Sequence, residues 1–368
     1  MKILVIIGTR PEAIKMLPLV IELQKQKEFE TLVCFSSQHE TLANNVFELF
    51  NISPNYRFCN FPKNANLKQI TIELLNYFDE LFKEISPDIL LVHGDTTTAF
   101  CASLAGFYQG IKIAHIEAGL RTFNNKSPFP EEFNRVAIDS MADIHFAPTQ
   151  IAAQNLKKEG IKSVFTTGNT GIDALKYTLN ENYNIPFLDE RENKKLILVT
   201  THRRENLGDK MTSALLGIKD ALKNRNDVLA IIPTHPNPLV KCRVESILNN
   251  IKNIKICPPL PLYDFHNILA RSHLVISDSG GIQEETAYLG IPLFLLRDTT
   301  ERVECIDQNV KIIGTERNKI SNEITLALND DTILKKMKIK SLAFGNGNAS
   351  KKITKNLLLL LQKGDIIE

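Results

Sequence analysis

The chain has 368 residues, more than one core usually organises, so two domains are expected, with a single α/β barrel as the alternative on length. Its 43% hydrophobic and 23% charged residues suit an ordinary globular protein and argue against long disordered stretches. A formal net charge of only +2, with no basic block, lacks the footprint of a nucleic-acid or membrane-surface protein and leaves room for a small charged ligand.

Short apolar runs alternate with longer amphipathic segments from end to end, the pattern of βαβ units whose parallel strands are buried on both faces. The first run, Ile3-Leu4-Val5-Ile6-Ile7, imitates the core of a secretory leader, but Thr9-Arg10-Pro11-Glu12 stands where a cleavage site would need small residues. A buried first strand is expected instead. Further strands are predicted over residues 31–35, 89–93, 112–116, 144–147 and 164–166. The polar stretch 180–194 breaks the rhythm and marks a domain boundary. A second series follows over 195–200, 228–232, 255–257, 274–277, 293–296 and 310–312. The fold class is therefore α/β, with two Rossmann-like, doubly wound domains. No apolar stretch reaches the roughly 18 residues that a membrane span requires, and a cytoplasmic protein is expected. The six cysteines (Cys34, Cys59, Cys101, Cys242, Cys257, Cys305) are scattered singly and read as buried free thiols.

Ligands of open α/β sheets sit beyond the carboxyl ends of strands, and chemistry-bearing residues recur there. The first strand runs into Gly8-Thr9-Arg10-Pro11-Glu12-Ala13-Ile14-Lys15. Glycine permits the turn and proline starts a helix. Arg10 and Lys15 then flank a helix N-terminus that favours phosphate, unless Arg10 simply pairs with Glu12. Beyond the strand at 89–93 comes His93-Gly94-Asp95-Thr96-Thr97-Thr98, where Asp95 is either a helix cap or an acid–base group. His115-Ile116-Glu117 and Pro128-Phe129-Pro130-Glu131-Glu132 bring further carboxylates to the same sheet edge. Neighbouring acids in a partly dry cleft raise one another's pKa into the range of a proton carrier. His93, Asp95, His115 and Glu117 alternate as metal ligands would, yet lack the compact spacings of zinc motifs; the two histidines read equally well as core residues.

In the second half, Thr201-His202-Arg203-Arg204 follows a strand, with His202 the candidate for meeting phosphate charge. Thr234-His235-Pro236-Asn237-Pro238 suits a functional or a rigid loop equally. The strongest local signal is Ser277-Asp278-Ser279-Gly280-Gly281-Ile282-Gln283-Glu284-Glu285. Its two glycines let backbone N–H groups approach a diphosphate, and Glu285 can accept hydrogen bonds from ribose hydroxyls. Arg297-Asp298-Thr299-Thr300-Glu301-Arg302 adds cations near that edge, or ordinary surface pairs. Neither G-x-G-x-x-G after the first strand nor a P-loop occurs.

Assembled in order, these motifs closely resemble the non-hydrolysing UDP-N-acetylglucosamine 2-epimerases. The resemblance runs through GTRPEAIKM from Gly8, HGDTTT from His93, HIEAGLRT from His115, PFPEEFNR from Pro128, THRRENLG from Thr201, SDSGGIQEE from Ser277 and RDTTER from Arg297. It implies the glycosyltransferase-B architecture with the active site in the interdomain cleft. It also implies an N-terminal domain over 1–170 joined by a crossover helix at about 351–368, and a UDP-binding domain over 171–350. On that resemblance Asp95, Glu117, Glu131 and His202 are catalytic. Arg10, Lys15, Phe265 (facing uracil), Ser279, Gly280, Gly281, Glu285 and Arg302 bind substrate. A UDP-sugar is the partner, a homodimer the assembly, and neither metal nor cofactor is called for. A hydrolysing epimerase, a glycosyltransferase of the same fold and a non-catalytic UDP-sugar sensor stay as alternatives. The sequence departs from the family at Gln38-His39-Glu40, which has Glu where many members have an Arg beside a second, allosteric substrate, so allosteric activation is not expected.

Overall fold

The computed structural model describes every residue except 37–39, 59, 63–64, 185–193, 202–207, 235–236 and 365–368, and the side chains of 40–42. Two compact units result, Met1–Tyr177 with Phe344–Glu368, and Thr178–Ala343. The first is built on a seven-stranded parallel sheet of β1 (Lys2–Ile7), β2 (Glu30–Ser36), β3 (Tyr56–Phe58), β4 (Ile89–His93), β5 (Lys112–Ile116), β6 (Ile144–Ala147) and β7 (Val164–Thr166). Strand order is β3-β2-β1-β4-β5-β6-β7. The second has six parallel strands, β8 (Lys195–Thr200), β9 (Val228–Pro233), β10 (Ile254–Cys257), β11 (Leu274–Ser277), β12 (Leu293–Leu295) and β13 (Val310–Ile312), in the order β10-β9-β8-β11-β12-β13.

Helices fill the crossovers. In the first unit they are α1 (Arg10–Gln24), α2 (Glu40–Leu49), α3 (Leu67–Ile85), α4 (Thr97–Tyr108), α5 (Glu131–Met141), α6 (Gln150–Lys158) and α7 (Thr170–Thr178). In the second they are α8 (Asp209–Leu222), α9 (Pro238–Leu248), α10 (Leu262–Ala270), α11 (Gly280–Leu289), α12 (Arg317–Asn329) and α13 (Asp331–Met337), before α14 (Ala349–Gln362) returns to the first unit. Both central strands, β4 and β11, are buried at every position, as the unbroken apolar runs require. One face of the first sheet packs Leu4, Ile6, Leu90 and Val92 with Leu74, Phe78 and Phe82 of α3. The second core centres on Ile197, Val199, Ile276, Leu215, Ile218 and Ile320.

The strand missing from the sequence reading is β3, a three-residue edge strand, Tyr-Arg-Phe, with an exposed centre. It pairs with β2 through Cys34, Phe35 and Ser36, and no apolar run announces it. The described cysteines are free, and Cys34, Cys101 and Cys305 are buried; Cys242 on α9 is exposed and Cys257 half-buried, which corrects the expectation of burial there, while Cys59 lies outside the described residues. Among the described residues no helix is long and apolar enough to cross a membrane.

Helix α14 lacks a capping side chain of its own. Asp173 of α7 supplies one from a distance, accepting from the backbone N–H of Ala349 at 3.1 Å and of Ser350 at 2.8 Å, with its negative charge at the positive end of the helix. Just upstream, the returning chain meets the β7–α7 turn, where the Asn169 N–H donates to Phe344 O at 2.7 Å. The C-terminal return thus fixes Asn169, which reappears below. In both sheets the strand order reverses at one point, between β1 and β4 and between β8 and β11. Open α/β sheets bind ligands beyond the strands at such a point.

Candidate active site

At the first reversal, β1 leaves through Gly8 and Thr9. A Cβ on Gly8 would lie 2.3 Å from Thr98 Oγ1, so glycine alone allows this approach to the β4 turn. Thr9 caps α1, and Pro11 falls in its first turn, where a missing N–H costs nothing. Arg10 is largely shielded, and burial lowers its pKa. In the sequence Glu12 reads as no more than a partner for Arg10. It turns inward instead, accepting from the Gly8 N–H at 3.1 Å and the Thr96 hydroxyl at 2.9 Å, and ties the turn carrying Arg10 and Lys15 to the turn carrying Asp95.

Burial pushes the Glu12 carboxyl up to about 7; bonds from Thr9, Thr96 and Gly8 pull it back and Asp95 pushes the same way as burial. A folded-state pKa above the unfolded value gives stability that is full below the unfolded pKa of 4.5 and is lost as pH rises to about 7. His93, pushed down to about 4 by burial, acts oppositely over nearly the same window, so the wild-type profile hides both. Glu12→Gln should expose the first. Between pH 5 and pH 8 the variant should gain about 2 to 3 kcal/mol on the wild type in urea denaturation, and parallel profiles would refute it.

Glu117 leaves β5 at φ +67°, in the left-handed region that few non-glycine residues adopt and that functional sites retain. Its N–H and that of Ala118 both donate to Phe146 O, at 3.1 and 3.2 Å, which holds the bend. One carboxylate oxygen receives the Lys15 ammonium from α1 and the Asn169 amide from the β7–α7 turn. His93 Nε2 stands 3.8 Å from the same oxygen, with burial first, then the Lys15 charge, keeping the ring neutral against the pull of Glu117.

Asp95, one strand over, is held by Arg135 of α5 through its carboxylate and by the Asn134 amide through its carbonyl, at 2.9 Å. The two acids that open α5 divide their duties. Glu132, fully buried, accepts from the N–H groups of Thr122 at 2.7 Å and Phe123 at 2.9 Å and pairs with Arg135 at 3.1 Å. Glu131 remains half-buried at the helix N-terminus. His115 has other partners. Its Nδ1 lies 2.6 Å from Asp139 Oδ1 and its Nε2 2.8 Å from Gly94 O. Burial opposes the ionised Asp139, but His115 and Arg121 outweigh it and hold the carboxyl below its ordinary range.

In the second unit, Ser279 begins α11 without a side-chain cap, and Ser277 Oγ instead accepts its N–H at 3.0 Å. Across Gly280 lies the Arg302 guanidinium, bound to Glu284 and Glu301 and almost wholly buried, while Glu301 also takes Arg297 at 2.9 Å. Arg302 is thus part of a buried ion network against the helix start. Among the described residues no packing neighbour lies within 4 Å of where a Cβ on Gly281 would stand. Glu285, a turn further on, sits 3.5 Å from His266 of α10, whose neighbour Phe265 is half-buried. His202 lies outside the described residues, as do Gln38, His39 and His235. Sequence reasoning passed over Glu12, Asn169, Arg135, Glu284 and His266; Glu284 and His266 at least adjoin residues it did select.

Residues 21–358 match the model of the UDP-N-acetylglucosamine 2-epimerase family. The chain belongs to that family. A UDP-N-acetylglucosamine 2-epimerase of Bacillus subtilis is 44% identical over 361 residues, covering 97% of this chain and 95% of that protein. The crystal structure of a putative family member from Listeria monocytogenes superposes with a TM-score of 0.95 at 42% identity, over 99% of this chain and 97% of that one. A Neisseria meningitidis UDP-GlcNAc 2-epimerase, crystallised with UDP-GlcNAc bound, gives 0.93 at 40% identity over 98% of this chain and all of that one. Within this epimerase family, the two doubly wound units are those of the glycosyltransferase-B architecture.

Proposed function

We propose that this epimerase interconverts UDP-N-acetylglucosamine and UDP-N-acetylmannosamine without releasing the sugar to water. The observation that carries this is the pair of carboxylates, Asp95 and Glu117, each held by a cation at the exits of adjacent strands. The C2 proton of the sugar has no neighbouring carbonyl to acidify it, so its removal must accompany departure of a leaving group. The C1–O bond to UDP breaks as a base takes the C2 proton, leaving 2-acetamidoglucal with a C1–C2 double bond. UDP then re-adds at C1 while an acid protonates C2 on the other face. The sequence is redox-neutral and balances with two proton carriers, drawn from Asp95, Glu117 and Glu131. Arg10, Lys15 and His202 would offset charge on the departing diphosphate, with Ser279, Gly280 and Gly281 supplying backbone N–H groups and Glu285 and Phe265 holding ribose and uracil. Arg302 supports that helix start from behind. The family resemblance further supports a cytoplasmic homodimer.

Proton NMR of the protein with UDP-N-acetylglucosamine in deuterium oxide tests this, since product and label are followed together. UDP-N-acetylmannosamine carrying deuterium at C2 is the expected result. Free N-acetylmannosamine with UDP would assign a hydrolysing enzyme, and absence of both turnover and exchange would overturn the proposal.

A further inference from the structure

Helices α10 and α11 turn two polar side chains toward one another, one buried and one half-buried. His266 is 1% exposed, and its Nδ1 lies 2.7 Å from the Thr178 hydroxyl. The other ring nitrogen, Nε2, faces Glu285, whose Oε1 is 3.5 Å away. Neither His266 Nε2 nor the second carboxylate oxygen, Glu285 Oε2, has a hydrogen-bond partner among the described residues. An unpaired buried polar atom is costly, so two that adjoin call for a common cause. The ring cannot easily turn away, because the helix that carries it is tied down. Asn267 donates to Thr178 O at 2.7 Å and accepts from the Asn180 N–H at 3.0 Å, and Arg271 donates to the carbonyls of Asn180 and Glu181 at 2.8 and 2.9 Å.

We propose that His266 is a positioning residue for nucleotide ribose. Its Nε2 faces the Glu285 carboxylate and sets its orientation, so that the carboxylate meets a ribose hydroxyl and the two residues together read that hydroxyl. This rests on the assignment of Ser279 to Glu285 as the UDP cradle. Thr178 and the pinned helix are the rigid support that makes the orientation selective, because a carboxylate free to rotate would accept a hydroxyl or a water with little preference.

Calorimetric titration of the full-length protein with UDP, 2′-deoxy-UDP and 3′-deoxy-UDP tests the inference. The wild type should bind UDP about ten-fold or more tighter than at least one deoxy analogue. Asparagine puts its amide where Nδ1 stands, whereas glutamine reaches the position of Nε2. His266→Asn therefore keeps the Thr178 contact and loses the limb toward Glu285. It should weaken UDP about ten-fold, leave the discriminated analogue nearly unchanged and bring the two within about two-fold. His266→Gln should restore most of the discrimination. Equal weakening of UDP and the analogue in His266→Asn, undiminished discrimination in that variant, or a wild type blind to both missing hydroxyls would overturn the inference. A wild type that binds no UDP would instead overturn the nucleotide assignment beneath it.

Discussion

Glu117→Gln should slow both epimerisation and C2 deuterium exchange by about a thousand-fold or more while UDP affinity stays within about two-fold. The amide has the size of the carboxylate but cannot carry the proton. The defect should therefore fall on kcat and on exchange together, as expected when an interaction of the transition state is lost. The substitution has a second effect. The Lys15 and Glu117 side chains are only 12% and 8% exposed, so neutralising one strips countercharge from a mostly buried ammonium, and a loss of about 2 to 4 kcal/mol in stability should accompany it. UDP affinity separates the two effects, because the residues proposed to hold uracil and ribose and those of the α11 start all lie in the other compact unit. Exchange retained within ten-fold would make Glu117 an anchor for Lys15 and leave the proton work to Asp95 and Glu131. Glu12 faces backbone and hydroxyl groups, so its neutralisation removes a buried charge and stabilises at neutral pH, whereas neutralising Glu117 separates an ion pair.

Strand runs were the most legible part of this sequence. Residues 89–93, 112–116, 195–200 and 274–277 fold as expected to the residue, because a parallel strand buried on both faces must be apolar throughout and its ends are set by the polar turn that follows. The same logic locates candidate site residues, since function gathers where those runs stop. It fails for β3, three residues whose central Arg57 is exposed, so that no apolar run marks it. It fails again for residues whose importance depends on who faces them. Asn169 is one polar residue in a turn until the chain returning through Phe344 holds that turn against Glu117. Of the adjacent acids Glu131 and Glu132, nothing local tells which is spent on the Thr122–Phe123 backbone. Arg302 reads as a surface cation or a substrate contact, and only the fold places its guanidinium between Glu284 and Glu301.

The two glycines of Ser279-Gly280-Gly281 should respond to alanine for different reasons, and the contrast separates ligand binding from packing. At Gly280 a Cβ would lie 2.6 Å from Arg302 Nη1 and 2.8 Å from its Cζ. Arg302 is poorly placed to yield, because Glu284 and Glu301 hold it and Glu301 in turn holds Arg297, all of them buried. Gly280→Ala must therefore pull a buried ion network apart, and a loss of about 3 kcal/mol in chemical denaturation is expected, with UDP binding weakened as a consequence. At Gly281 no packing neighbour among the described residues would come within 4 Å of the new methyl, and the backbone carries no positive φ. Gly281→Ala should leave stability unchanged or raise it by a few tenths of a kcal/mol, since alanine suits a helix better than glycine. If the diphosphate approaches the backbone N–H groups here, that methyl occupies the approach, and UDP affinity should fall about ten-fold or more in a protein as stable as the wild type. Undiminished UDP binding by Gly281→Ala would place the diphosphate elsewhere. Gly281 would then be glycine without a physical reason, at a helix position where glycine is otherwise a cost.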